Sequence, residues 1–141
     1  MDHVNHFLET ASKVLHNISY SRRDASRVQS VVKHIETAGY RVWIDTASTG
    51  GSARFAEPIV QAIDSAKVVA MMCSKNAFDS DHVVRELYVA GEFKKPFVAV
   101  LLDDTDLPHS FRYFLSGFPR LPVAQIAPDR VRSEIARYMT A

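Results

Sequence analysis

Apolar residues along this chain fall into two alternating patterns: short stretches rich in Val, Ile, Leu and Met, and longer ones in which they recur every third or fourth position. The runs occupy residues 14–19, 40–44, 68–73, 97–102 and 121–125, at intervals of roughly 25 to 30 residues. The middle runs are apolar on both faces, as a parallel strand covered by helices must be. The alternation predicts an α/β fold, a doubly wound five-stranded parallel sheet with helices on both faces.

Between the first two strands, Val28, Val31, Val32 and Ile35 repeat at helical spacing, with Asp24 placed to cap the start and Gly39 to end the segment. Phe55, Ile59, Ala62 and Ile63 mark a second helix, in which Pro58 is expected within the first turn. A third begins after Ser80 as N-cap and carries Val83, Val84, Leu87 and Ala90 to Gly91 and the Lys94–Lys95–Pro96 stop. The last, over residues 128–139, buries Val131 and Ile135. Ahead of the first strand, Val4, Phe7, Leu8 and Ala11 predict an amphipathic leader helix over residues 1–13, leaving 14–141 as one domain. Repeats, low-complexity tracts and Gly/Ser-rich linkers are absent from the sequence.

Composition narrows the function classes. The 141 residues carry 17 Lys+Arg against 16 Asp+Glu, a net charge of +1. That balance gives no electrostatic footprint for nucleic acid or a membrane surface. A single cysteine, Cys73, makes neither an internal disulfide nor a Cys-based zinc site, reads as an inert core thiol, and points to a reducing cytoplasm. The longest apolar runs are too short to span a bilayer, and residues 1–11 include Asp2, His3, His6 and Glu9 rather than a signal-peptide core.

In an open α/β sheet, ligands bind beyond the carboxyl ends of the strands. Residues 20–23, 45–54, 74–80 and 103–110 are the polar segments expected there. They contain no dinucleotide-binding Gly fingerprint, Walker A run, nucleophile elbow or zinc-protease motif. His3 and His6 lack a third ligand, and residues 103–106 lack the Gly and distal Glu of a calcium loop, so no metal is expected. One constellation remains: His82 and Glu86 stand four apart on the third helix. From spacing alone they predict an exposed ion pair worth a few tenths of a kcal/mol.

Four segments, in order, resemble those of the TIR (Toll/interleukin-1 receptor) domain. They are Ile18–Ser19–Tyr20–Ser21–Arg22–Arg23–Asp24; Gly39–Tyr40–Arg41–Val42–Trp43–Ile44–Asp45; Phe55, Ile59, Ala62, Ile63 and Ser65; and Ser74, Phe78, Ser80, Glu86 and Leu87. The resemblance covers residues 18–135 and implies a flavodoxin-like fold. It also implies one of two activities, since TIR domains either scaffold signalling complexes or cleave NAD⁺ at the nicotinamide–ribose bond. Glu86 falls on the position that is catalytic in the NAD⁺-cleaving members. On the same resemblance Tyr20, Ser21 and Arg22 lie against the nucleotide, with Arg22 or Arg23 available to the pyrophosphate. Trp43 and Asp45 border the pocket, and Ser80 and His82 contact substrate. Thr46, Gly50, Gly51 and Ser52 belong to the BB loop, through which a neighbouring copy completes the site.

The expectation is therefore a bacterial-type, cytoplasmic NAD⁺ glycohydrolase, an effector in defence or stress signalling that is activated by self-assembly. Its partners are NAD⁺, further copies of itself and a fused or separate sensor module, with no metal or other cofactor, no nucleic acid and no membrane. Nicotinamide is one product, and ADP-ribose or a cyclic isomer is the other. The rival is a non-catalytic adaptor working by homotypic TIR–TIR contact, in which Glu86 is a bystander; adaptor members often lack that carboxylate. A receiver-like reading requires an acidic pair after the first strand and a Lys after the fifth, but only Asp24 lies near the first and no Lys follows Gln125. Two positions depart from the family pattern. His82 stands where many members carry Trp, which predicts weaker base stacking and activity that depends on pH near neutrality. His16 and Asn17 fall where the first strand is ordinarily apolar.

Overall fold

Where the short apolar stretches fall, the chain is extended. A computed structural model of the protein describes residues 15–44 and 53–139. Its strands are β1 (Leu15–Ser19), β2 (Arg41–Ile44), β3 (Val68–Cys73), β4 (Phe97–Leu101) and β5 (Arg120–Pro122). All pair in parallel in the order β2-β1-β3-β4-β5. That is the doubly wound flavodoxin-like arrangement, in which the connections leave β1 and β3 toward opposite faces. Every residue of central β3 is buried, as its two-sided covering demands.

Among the described residues six helices surround the sheet: α1 (Ala25–Thr37), α2 (Ala53–Ser65), α3 (Lys75–Phe78), α4 (Asp81–Glu92), α5 (His109–Leu115) and α6 (Pro128–Met139). Two cores follow from strand alternation. Ile18, Ala70, Met72, Val98 and Val100 pack with Val28, Val31 and Ile35 of α1 and Val131 of α6. Val69, Met71, Cys73 and Ala99 pack with Ile63 of α2, Val83, Leu87 and Ala90 of α4, and Phe111 and Leu115 of α5. Each of the larger aliphatic side chains so buried contributes about 2 kcal/mol. Gly39 ends α1 with φ 100°, a backbone conformation that favours glycine. Among the described residues no helix is long and apolar enough to cross a membrane.

The structure corrects several expectations. The fifth strand begins at Arg120 and stops at Pro122, where the chain enters a 3-10 turn over Val123–Gln125. Proline supplies no N–H to continue the ladder. Pro58 lies inside α2 rather than in its first turn, because that helix already begins at Ala53. It therefore offers no N–H to the Arg54 carbonyl. Asp24 precedes α1, yet its side chain makes no cap hydrogen bond, being used elsewhere. A short helix, α3, occupies ground expected to be loop, and another, α5, begins at the end of the polar segment 103–110. Ser74 caps α3 by accepting the Ala77 N–H at 3.0 Å. The leader segment 1–13 lies outside the described residues.

Gly91 lets α5 approach α4. A Cβ there would stand deep inside van der Waals contact of the Phe114 ring. That ring is itself held edge-on by Tyr88 and Tyr113, each at a centroid distance of 5.2 Å. Overpacking of this kind costs about 1–3 kcal/mol, against about 1 kcal/mol gained in helix propensity. Gly91→Ala is thus expected to lose about 1 kcal/mol net in urea unfolding; a stabilised variant would show that the ring shifts freely.

Candidate active site

Alternation along β1 sends Ile18 into the α1-side core and turns Asn17 and Ser19 toward the face covered by α2 and α4. On α4, positions 83, 86, 87 and 90 share one stripe at helical spacing, and all four are buried. Glu86 is therefore a carboxylate set among core residues, with 6% of its side chain exposed. Ser19 Oγ donates to Glu86 Oε1 at 2.5 Å, a buried hydrogen bond between β1 and α4. The second oxygen, Oε2, faces His82 Nε2 at 3.4 Å, and His82, one turn earlier, is 34% exposed. The exposed ion pair expected from spacing is thus not what forms: Glu86 falls within the buried stripe, and its first partner is a strand serine.

Trp43 pairs in register with Asn17, while its neighbours Val42 and Ile44 pack on the α1 side. Trp43 consequently shares a sheet face with Asn17 and Ser19. Asn17 is fully buried, and neither Nδ2 nor Oδ1 has a hydrogen-bond partner. An unsatisfied amide of this kind costs about 1–3 kcal/mol. The polar departure in the first strand is therefore a real expense to the fold.

Ser80 caps α4, accepting the Val83 N–H at 3.3 Å, so it lies two residues before His82 and six before Glu86. Ser21 is buried and accepts the Arg23 N–H at 3.3 Å, while Arg22 and Arg23 stand exposed beyond the carboxyl end of β1. Tyr20 goes elsewhere. It packs against the α1-side core and, with Gln29, Val32, Lys33 and Ile44, lines an open groove of about 290 Å³. The structure thus gathers Glu86, His82 and Ser80 on one helix with Ser19 beneath, and sets Tyr20 on the other side of the sheet. Asp45, Thr46, Gly50, Gly51 and Ser52 lie outside the described residues.

The loops that frame this corner are tied by a second carboxylate. Asp24, 1% exposed, accepts from Ser74 Oγ at 2.5 Å, Asn76 Nδ2 at 2.9 Å and Arg27 Nη2 at 2.5 Å. Arg27 also donates to the Leu102 carbonyl at 3.1 Å, and Asp103 accepts the Lys75 N–H at 3.1 Å. The carboxyl ends of β1, β3 and β4 are held together by these bonds. Burial by itself would raise the Asp24 carboxyl, but the hydrogen bonds from Ser74, Asn76 and Arg27 and the Arg27 charge outweigh it and hold it below its ordinary value. Cys73, by contrast, is pushed up to about 12 by burial, with Arg120 opposing and Asp103 adding, so its thiol stays protonated and unreactive. Among the described residues no group of three or more His, Cys, Asp or Glu side chains is placed to hold a metal ion.

Ser19, Asp24, Arg27 and Asn76 were not singled out as site residues in the sequence. Ser19 carried a signal nonetheless: with Asn17, two positions earlier, it sets two polar residues on one face of β1.

Residues 17–126 match the sequence profile of the TIR domain. Solved structures with the same fold include the TIR domain of the Toll-related receptor TRR-2 from Hydra magnipapillata, 21% identical, with a TM-score of 0.61 over 89% of this chain and 94% of that one. A CMP N-glycosidase, BcmB, from Clostridium botulinum is 12% identical, with a TM-score of 0.59 over 90% of this chain and 99% of that one. A conserved protein from Enterococcus faecalis is 11% identical, with a TM-score of 0.63 over the same shares. No curated protein sequence matches the chain at a significant level.

Proposed function

The chain belongs to the TIR domain family, and from that membership and its buried carboxylate we propose that it cleaves NAD⁺ at the nicotinamide–ribose bond. The observation that carries this reading is Glu86, an acid kept in a largely apolar stripe and hydrogen-bonded by Ser19 at the carboxyl side of the sheet. Burying a carboxylate opposes folding, and fixed negative charge in a water-poor corner is what a developing cation needs. A fold shared with a CMP N-glycosidase is consistent with chemistry at an N-glycosidic bond.

In this reaction the C1′–N bond breaks with its electron pair moving to the pyridinium nitrogen, so nicotinamide leaves neutral and needs no proton. Glu86 stabilises the oxocarbenium charge left on the ribose. It then takes the proton of the attacking water, giving ADP-ribose; attack by an adenine nitrogen gives a cyclic isomer instead. Ser19 fixes one carboxylate oxygen and leaves the other toward substrate and His82. Arg22 and Arg23, exposed beyond β1, supply charge for the pyrophosphate. Trp43 walls the same face and Ser80 borders it, and the family resemblance assigns Asp45 to substrate binding as well. NAD⁺ is substrate here, and the chemistry calls for no metal.

The same reading has copies of the chain complete one another's sites through Thr46, Gly50, Gly51 and Ser52, as a defence effector switched on by assembly. The test is nicotinamide release from NAD⁺, followed by chromatography, with the protein concentrated, diluted and artificially clustered. Specific activity is expected to fall on dilution and to recover on clustering. A rate per molecule independent of concentration would sink the assembly step. Silence from folded, clustered protein would favour the adaptor reading.

A further inference from the structure

We infer that His82 is a general acid of this site and that it widens the substrate class to ribonucleotides whose base is uncharged. The inference rests on the N-glycosidic reading above but asks something that reading does not need. Nicotinamide departs from a cation without a proton, whereas cytosine, uracil or adenine leaves as an anion unless a proton reaches it during bond breaking. A carboxylate alone suffices for the first group of substrates. The second needs an acid as well.

The geometry supplies one where the departing base must pass. Glu86 is 6% exposed and His82 is 34% exposed, one helical turn nearer the carboxyl end of the sheet. A ribose seated on Glu86 therefore has its outward path beside the imidazole. Imidazole is the side chain whose ordinary titration lies near neutrality, so it can both deliver a proton and recover it. His82 Nε2 lies 3.4 Å from Glu86 Oε2, which closes the cycle. The C1′–N bond breaks with its electron pair on the base, and imidazolium gives that base its proton. Water oxygen bonds to C1′ while its proton passes to Glu86, and Glu86 returns a proton to His82. The net change is nucleotide plus water to free base plus ribose 5-phosphate, with no further reactant.

The alternative, a helix-surface i,i+4 pair, does not describe a contact whose carboxylate is buried and bound by Ser19. The deciding experiment compares substrates that differ in the charge of the leaving base. Nicotinamide mononucleotide and NAD⁺ have a cationic base; CMP, UMP and AMP have an uncharged one. Free base is measured by chromatography for wild type, His82→Ala and His82→Gln, the last keeping size and hydrogen bonding without a titrating proton.

Wild type is expected to release base from both classes. Both variants should lose about 10²- to 10³-fold on the uncharged-base nucleotides and less than tenfold on NAD⁺. Cleavage of NAD⁺ or nicotinamide mononucleotide with none of CMP, UMP or AMP would overturn the inference and leave the NAD⁺ reading standing. An equal loss on both classes would make His82 a binding residue and likewise overturn it. No release from any of them by folded, clustered protein would overturn both.

Discussion

Glu86→Gln is expected to fold as wild type does and to release nicotinamide from NAD⁺ about 10³-fold more slowly, within the range lost when a positioned acid–base group is removed. The amide keeps the size of the side chain and an oxygen for the Ser19 hydroxyl, so the β1–α4 contact survives. What disappears is the negative charge. A buried carboxylate kept for chemistry opposes stability, so the Gln variant should melt at the wild-type temperature or above it. Loss of activity without loss of stability separates a functional acid from a structural one. A variant that unfolds would assign Glu86 to the fold, and one that keeps its rate would remove it from the chemistry.

β3 and β4 were legible because burial on both faces writes itself as an unbroken apolar run, and β3, with all six residues buried, is the plainest case. Strand ends were less so. Pro122 ends β5 through a missing N–H, a local rule that the apolar run to residue 125 concealed. Short helices escaped for a similar reason: α5 shows only Phe111 and Leu115 as buried anchors, too few to establish a period.

At the site, the resemblance pointed to Glu86, and residue spacing correctly set His82 beside it. Burial decided the rest. Spacing makes Glu86 half of an exposed pair, while the fold put it within a buried stripe and over Ser19, a contact spanning 67 positions in sequence. The Asp24 network was equally hidden. An acid ahead of a helix reads as a cap, and only the approach of the β3 and β4 ends reveals its other partners.

That network carries the largest expected effect on stability. Asp24→Ala leaves the hydroxyl of Ser74, the amide of Asn76 and the guanidinium of Arg27 without their common acceptor. Removing one partner of a buried pair costs about 3–5 kcal/mol. Arg27 is 43% exposed and turns to water, which places the expected loss near the lower end, about 3 kcal/mol in urea unfolding at neutral pH. Because the folded state holds the Asp24 carboxyl below its ordinary value, its contribution is complete above that value and disappears as pH falls through the lowered one. The gap between wild type and Asp24→Ala should accordingly narrow below about pH 4. Ser74→Ala added to Asp24→Ala should cost less than it does alone, since the two share one hydrogen bond. Ser74 and Asn76 lead directly into the segment that presents His82 and Glu86, so Asp24→Ala should also slow nicotinamide release at temperatures where it remains folded. Full activity in that folded variant would show that α4 holds its acid in place without the latch.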